Sequence, residues 1–245
     1  MLSAPDAIVL CGGAGLRLRS VTGAPKSMAI VAGRPFLELL LLQLKRHSIE
    51  RVVLAVGYGS EEIRSHFGDH IFGLQLAYST EHSPLGTGGA LRQAVDLVES
   101  DLALVMNGDS YTDADIREFV NRHRTSHADV SVLVVPVDGR GDCGAIKVED
   151  GDRVAAFHEK ENAPGSQYIN AGMYLLPRQI AMEIPFGAQV SLEQDVFPRW
   201  IAEGRFVRAH SDEARCVDIG TPERYWLAQA ILARAEDASD LQEQR

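Results

Sequence analysis

Ala7-Ile8-Val9-Leu10-Cys11-Gly12-Gly13-Ala14-Gly15-Leu16-Arg17-Leu18-Arg19 is the stretch on which the fold turns. Its first four residues form a continuous apolar run, the pattern of a strand buried on both faces inside an α/β sheet. The glycines then fall at the strand's carboxyl end, where open α/β sheets take their ligands. Gly12, Gly13 and Gly15 carry no Cβ to hold a ligand away, so a row of backbone N–H groups can meet phosphate oxygens. Arg17, Arg19 and, in Pro25-Lys26, Lys26 add fixed positive charge within the same segment. The stretch reads as a polyphosphate loop.

Two well-known loops are excluded by the same residues. A dinucleotide fingerprint starting at Gly13 requires a small residue where Leu18 stands. A P-loop ending at Lys26-Ser27 would place Pro25 where glycine is needed, and proline has no N–H to offer an anion. What remains, G-G-x-G-x-R-L followed by P-K, resembles the signature of the sugar-1-phosphate nucleotidyltransferases. Leu16 replaces the hydroxyl residue usual before the arginine.

Working outward, Arg34 to His47 predicts a helix with Pro35 in its first turn, and Arg51 to Val56 a second buried strand ending at Gly57-Tyr58-Gly59. Ser60 to Phe67 predicts a helix, Leu74 to Tyr78 a strand, and Glu81 to Gly89 a second Gly-rich loop opening a helix from Ala90 to Val98. Asp101 to Met106 predicts a strand running into Asn107-Gly108-Asp109. A helix over Asp113 to Ser126 and a strand over Asp129 to Val137 complete an alternation that implies a mostly parallel sheet. Beyond Val137 the pattern changes to short strands at 144–149, 153–158 and 169–176, expected to cover the sheet and carry a second substrate. Helical signals return at Leu192 to Glu203 and from Pro222, capped by Thr221, to Ala235. The expected organisation is one domain over residues 1–235, with halves at 1–137 and 138–235, and a polar, fraying tail at 236–245.

Composition bounds the function. The 245 residues include 34 acidic and 24 basic side chains, a formal charge of −10, which argues against nucleic acid or anionic membrane as partners. Neither a leader nor a spanning segment is read, so a cytoplasmic protein is expected. Cys11, Cys143 and Cys216 are odd in number and widely spaced, so neither a disulfide frame nor a zinc knuckle is indicated. His123 and His127 stand at helical spacing without a carboxylate between them and are expected to face solvent. Trp200 and Trp226 are expected in the core, and Tyr58 as a turn residue. A homo-oligomer is compatible with the sequence, which carries no signal for its size.

The resemblance covers nearly the whole chain once separated motifs are read together. Gly12-Gly13-Ala14-Gly15-Leu16-Arg17 with Pro25-Lys26, Leu85-Gly86-Thr87-Gly88-Gly89, Asn107-Gly108-Asp109, Glu159-Lys160, Asn170-Ala171-Gly172 and Asp218-Ile219-Gly220-Thr221-Pro222 are similar, in identity and order, to those of sugar-nucleotide pyrophosphorylases. The resemblance implies a Rossmann-like (GT-A-like) α/β fold with a smaller β-rich sugar-binding part. It implies a reaction of a nucleoside triphosphate with a sugar 1-phosphate, giving a nucleoside diphosphate sugar and pyrophosphate. It assigns Arg17, Lys26, Asp109 and Lys160 to catalysis, with Lys160 on the sugar phosphate. Leu10, Gly12, Gly13, Gly15, Glu81, Gly86, Thr87, Gly88 and Gly108 would bind the nucleotide, and Glu159, Lys160, Asn170, Gly172 and Glu193 the sugar. Asp109 and Asp218 would hold Mg²⁺, a hard cation suited to two carboxylates and bridging phosphates.

Read singly, each of these has a plainer explanation. Asp109 and Asp218 could serve turns, and Glu159-Lys160 could be a solvated charge pair. Pro35-Phe36-Leu37-Glu38, Leu54 to Tyr58, Tyr78 to Glu81, Pro84 to Ala90 and Asn107 to Ser110 further resemble the guanylyltransferase branch acting on manno-configured heptose 1-phosphate. Mannose 1-phosphate guanylyltransferases and glucose 1-phosphate uridylyl-, cytidylyl- or thymidylyltransferases share much of the pattern. Glu81 offers a physical reason for GTP, since a carboxylate can accept from guanine N1–H and N2–H₂. A non-catalytic nucleotide-sugar-binding homologue and an NAD(P)-dependent oxidoreductase are the alternatives from other classes. The intact Arg17, Lys26, Asp109 and Asp218 speak against the first, and Leu18 against the second.

Overall fold

The apolar run quoted first becomes strand β1 (Asp6–Leu10), which lies inside a ten-stranded sheet. The computed structural model describes residues 4–13, 15–137, 144–158 and 167–243. After β1 come α1 (Leu16–Thr22), the short strands β2 (Ile30–Val31) and β3 (Arg34–Pro35), α2 (Phe36–Arg46), β4 (Arg51–Val56), α3 (Ser60–Phe67), β5 (His70–Ile71), β6 (Leu74–Thr80) and α4 (Gly86–Ala94). The chain continues as β7 (Leu102–Asn107), β8 (Ser110–Thr112), α5 (Ile116–Thr125), β9 (Val130–Pro136), β10 (Ala145–Glu149), β11 (Arg153–His158) and β12 (Tyr168–Pro177). It ends with α6 (Arg178–Met182), α7 (Phe197–Ala202), β13 (Val207–Ser211), β14 (Cys216–Asp218) and α8 (Pro222–Glu243).

The sheet order is β10-β11-β13-β9-β12-β7-β1-β4-β6-β5. The neighbours β7, β1, β4 and β6 are parallel, as their continuous apolar sequences predict. Strand β12 lies between β7 and β9, antiparallel to both. The second half of the chain therefore extends the parallel sheet of the first half instead of covering it. Strands β1, β4, β6, β7, β9, β10 and β13 point one way, and β5, β11 and β12 the other.

Successive residues of the central strands bury on opposite faces, the period of two that a pleated strand imposes. Ala7 and Val9, Val52, Leu54 and Val56, and Leu104 and Met106 join one core with the leucine-rich face of α2. Ile8, Val53, Ala55, Ala103 and Val105 join the other, with Leu91, Phe197 and Trp200. Two packed faces hold β1, β4 and β7 rigid, which fixes the loops at their carboxyl ends. Among the described residues no helix is long and apolar enough to cross a membrane.

Several elements differ from the sequence expectation. Helix α4 starts at Gly86 rather than Ala90, and α8 runs to Glu243, through the segment expected to fray. Residues 236–243 contain no glycine or proline to break it. Trp226 is 60% exposed. His123 does not face solvent: its Nδ1 meets Ser131 Oγ at 2.7 Å, and that oxygen meets His210 Nε2 at 3.0 Å, all three residues being buried. His127 is exposed.

Burial pushes both His123 and His210 down to about 4, helped by the nearby guanidinium groups of Arg124 for the first and of Arg122 and Arg208 for the second. The unfolded chain would protonate them near the ordinary 6.5, so between pH 6.5 and 4 it binds protons the native state refuses. Their contribution to stability is complete above about pH 6.5 and is lost progressively as the pH drops toward 4. Thermal melts from pH 7 to 5 should show this loss, with a shallower slope in His210→Gln. An unchanged slope would assign the acid sensitivity to carboxylates instead.

Candidate active site

Three parallel strands end side by side, and their carboxyl ends build one wall. Cys11 N–H donates to Ala55 O at 2.9 Å, Gly108 N–H to Leu10 O at 2.9 Å, and Tyr58 N–H to Gly12 O at 3.3 Å. Gly108 is needed for this approach, because a Cβ there would stand 2.8 Å from Leu10 O and from Cys11 Cβ. Above the wall opens a cleft of about 510 Å3, lined by Leu10, Gly12, Gly13, Glu81, Gly86 and Thr87 together with Gly57, Tyr58, His82, Ser83, Pro84 and Ala90. Its volume is that of a small-molecule site.

Glu81 is fixed against this wall. Its Oε2 accepts from Leu85 N–H at 3.1 Å, and its Oε1 lies so near the main chain that a Cβ on Gly12 would stand 2.3 Å from it and one on Gly57 2.8 Å. Burial first, then the charge of Glu81, pushes the Cys11 thiol up to about 12, so it stays protonated and inert. Cys216 is likewise a buried, reduced thiol.

The second Gly-rich loop has a mechanical reason for its glycines. Gly88 N–H donates to Val190 O at 2.9 Å, and Val190 N–H to Leu85 O at 2.9 Å, so the segment around Val190 is stitched onto the first turn of α4. A Cβ on Gly86 would stand 2.5 Å from Val190 O, and one on Gly89 2.2 Å from Ala188 O. Gly86 and Thr87 face the cleft. Gly88 is buried beneath it, and its N–H is taken by Val190 O.

Beyond the loop lies a cluster of alternating charge. Lys26 Nζ pairs with Asp109 Oδ2, and Arg224 Nη1 with Asp218 Oδ2 at 2.7 Å. The pairing of β14 with β8 in a separate two-stranded ribbon puts Asp218 opposite Ser110, and Ile219 N–H donates to Asp109 O at 2.9 Å, so two carboxylates distant in sequence share one end of that ribbon. Gly220 sits among them: a Cβ there would stand 2.9 Å from Asp218 Oδ1, 3.7 Å from Lys26 Nζ and 3.9 Å from Arg224 Nη1. Gly15, at φ +55°, packs on the stem of Lys26, which ties the phosphate loop to the cluster. Arg17 is exposed in the first turn of α1. Among the described residues no three His, Cys, Asp or Glu side chains gather as a metal cage.

On the remaining side, Asn170 and Gly172 lie at a register shift of β12, a bulge that re-aims side chains beside the site. Gly172, at φ +71°, lets Asn107 approach: a Cβ would stand 2.9 Å from Asn107 Nδ2. Glu193 accepts from Thr87 Oγ1 at 3.0 Å and from Tyr174 OH at 2.8 Å. Glu159 and Lys160 lie outside the described residues. The structure thus brings together Leu10, Gly12, Gly13, Glu81, Gly86 and Thr87 at the cleft, Gly15, Lys26, Asp109 and Asp218 at the charged cluster, and Asn170, Gly172 and Glu193 beside them.

Sequence reasoning missed Gly57, Tyr58, His82, Ser83 and Arg224. Gly57 and Tyr58 had a signal, since they follow the strand next to β1 in a parallel sheet, the place ligands favour. Arg224 had none, because only the turn at Gly220 returns the first turn of α8 to Asp218.

Fold and site together are those of an α/β protein with a ligand-sized cleft at the carboxyl ends of its parallel strands and a cluster of paired charges beside it. The chain belongs to the nucleotidyl transferase family, which it matches over residues 6–235. It is 40% identical over 232 residues to mannose-1-phosphate guanylyltransferase of Mycobacterium tuberculosis, an alignment covering 94% of this chain and 65% of that enzyme. It is 35% identical over 229 residues to D-glycero-alpha-D-manno-heptose 1-phosphate guanylyltransferase of Aneurinibacillus thermoaerophilus, covering 93% and 98%. The crystal structure of HddC from Yersinia pseudotuberculosis complexed with GMP-PN has a TM-score of 0.82 to this chain, at 30% identity over 94% of this chain and all of that one.

Proposed function

We propose that the protein transfers the guanylyl group of GTP to a manno-configured heptose 1-phosphate, releasing pyrophosphate. The observation that carries the guanine assignment is Glu81, a carboxylate pinned at the cleft wall beside Gly12 and Gly57, with acceptor lone pairs suited to guanine N1–H and N2–H₂. The likeness to the Aneurinibacillus heptose enzyme along nearly its whole length supports the acceptor. Mannose 1-phosphate is the second acceptor reading, favoured by the 40% identity to the mycobacterial enzyme.

In this reading an oxygen of the sugar phosphate attacks the α-phosphorus of GTP. The new P–O bond forms in line as the bond to the β-phosphate oxygen breaks, and both bonding electrons leave with pyrophosphate. No side-chain nucleophile is required. The backbone of Gly12 and Gly13 and the cation of Arg17 hold the triphosphate, and Lys26 brings charge to the reacting phosphates. Asp109 and Asp218 would hold Mg²⁺: their carboxylates share one end of the β8–β14 ribbon and already attract cationic partners, and two carboxylates plus substrate phosphates suit this ion. When bound, the ion would neutralise phosphate charge.

A matrix of GTP, ATP, UTP, CTP and dTTP against heptose, mannose and glucose 1-phosphates, read by pyrophosphate release, tests this. GTP with the heptose or mannose phosphate should exceed every other pair by about tenfold or more. Preference for another base would remove Glu81 from base recognition, and no release with any pair would overturn the reading.

A further inference from the structure

The buried phenol of Tyr174 has no place in the chemistry above, yet it sits where the two substrate sides meet. It is fully buried, with its ring against Phe197 at 5.1 Å between centroids. Its oxygen accepts from Asn170 Nδ2 at 2.7 Å and donates to Glu193 Oε1 at 2.8 Å, and the Asn107 side chain lies close enough to influence its ionisation. The hydroxyl thus donates one hydrogen bond and accepts another. Burial first, then the charge of Glu193, raises this phenol far above its ordinary range, so it stays protonated and remains a donor.

Each of these polar neighbours leads to a different loop. Asn107 directly precedes Gly108-Asp109. Asn170 Oδ1 accepts from Gly172 N–H at 2.9 Å, closing the bulge on the sugar side. The other carboxylate oxygen of Glu193 accepts from Thr87 Oγ1 at 3.0 Å and Ser191 Oγ at 2.9 Å, and Thr87 Oγ1 in turn accepts from Leu192 N–H at 2.8 Å. Thr87 lines the cleft. A continuous chain of hydrogen bonds therefore runs from the nucleotide loop through Glu193 and Tyr174 to the sugar-side bulge. Hydrogen bonds to a charged group in a place of low dielectric are the strong ones, and such networks hold several loops in one arrangement.

We infer that Tyr174 is a positioning residue, the joint through which Glu193 sets the nucleotide loop at Thr87 against the sugar-side bulge at Asn170–Gly172. The assignment of the two loops to nucleotide and sugar rests on the function proposed above; the mechanical joint does not.

Tyr174→Phe tests it, because the ring and its packing are kept and only the hydroxyl is lost. Hydrogen–deuterium exchange on the ligand-free protein should show amides of residues 86–89 and 168–172 both exchanging about tenfold faster, beyond the smaller change that the lost buried hydrogen bonds spread over segments such as 36–46. Thr87→Val should accelerate 86–89 equally, and Thr87→Val with Tyr174→Phe should add nothing further there. Faster exchange confined to 168–174, with 86–89 unchanged, would overturn the joint, as would additive effects in the double variant. In turnover, Tyr174→Phe should raise KM for the sugar 1-phosphate about tenfold and change kcat far less. Should the wild type turn over no substrate pair, the function reading falls and the exchange experiment still decides the joint.

Discussion

Asp109→Asn is expected to fold and melt like the wild type and to lose at least about two orders of magnitude in kcat. The substitution is close to isosteric, and the carboxamide it introduces keeps an oxygen that can accept from Ser110 Oγ, which lies 3.2 Å from Asp109 Oδ1. What it removes is the charge opposite Lys26. With the Asp109 side chain 37% exposed, that ion pair contributes little to stability, so the loss should appear in function and not in the melt. Two carboxylates holding one ion act as a unit, so Asp109→Asn with Asp218→Asn should be hardly worse than either alone. Pyrophosphate release measured across a Mg²⁺ titration separates the outcomes. A higher Mg²⁺ requirement in both single variants supports the shared site, whereas wild-type turnover in Asp109→Asn would remove this residue from it.

The parts of this site that the sequence made legible are those where backbone geometry and residue type coincide. Continuous apolar runs at Asp6–Leu10, Arg51–Val56 and Leu102–Asn107 identify strands buried on both faces, and the residues that follow them stand at the ligand-binding edge by topology alone. Glycine motifs mark close approach, though not of what to what: the groups that approach Gly88 and Gly89 are Val190 and Ala188. The reversed insertion of β12 could not be read, because strand direction is set by pairing with β7 and β9, and nothing in Tyr168–Pro177 encodes its partners. Strand β13 breaks the apolar pattern with Arg208 and His210, and His210 is buried against Phe119 with its Nε2 on Ser131 Oγ of β9, contacts that its own segment does not reveal. Arg224 was illegible for a related reason: its partner Asp218 is six residues away across a turn, a distance at which sequence alone says little about contact.

Gly86→Ala is expected to destabilise the protein by about 2–4 kcal/mol and to weaken nucleotide binding by about tenfold or more. Gly86 has φ +71°, a conformation that costs an L side chain energy before any contact is counted. The added methyl would then stand 2.5 Å from Val190 O and 2.9 Å from Val190 C, and both are main chain. The neighbouring backbone cannot step aside cheaply, because Val190 N–H donates to Leu85 O while Val190 O accepts from Gly88 N–H. Relief of the clash must open this stitch, and the stitch positions Thr87 at the cleft. Gly13→Ala supplies the contrast within the same cleft: a Cβ there meets nothing within 4 Å, so the fold should be indifferent and only the approach of phosphates obstructed. Calorimetric melts and titrations with a non-hydrolysable GTP analogue should therefore split the two variants. Gly86→Ala should lose both stability and affinity, and Gly13→Ala affinity alone. Equal melting temperatures for the two would mean that the segment at Val190 yields more readily than its hydrogen bonds imply, and Gly86 would then join Gly13 as a residue kept for the ligand.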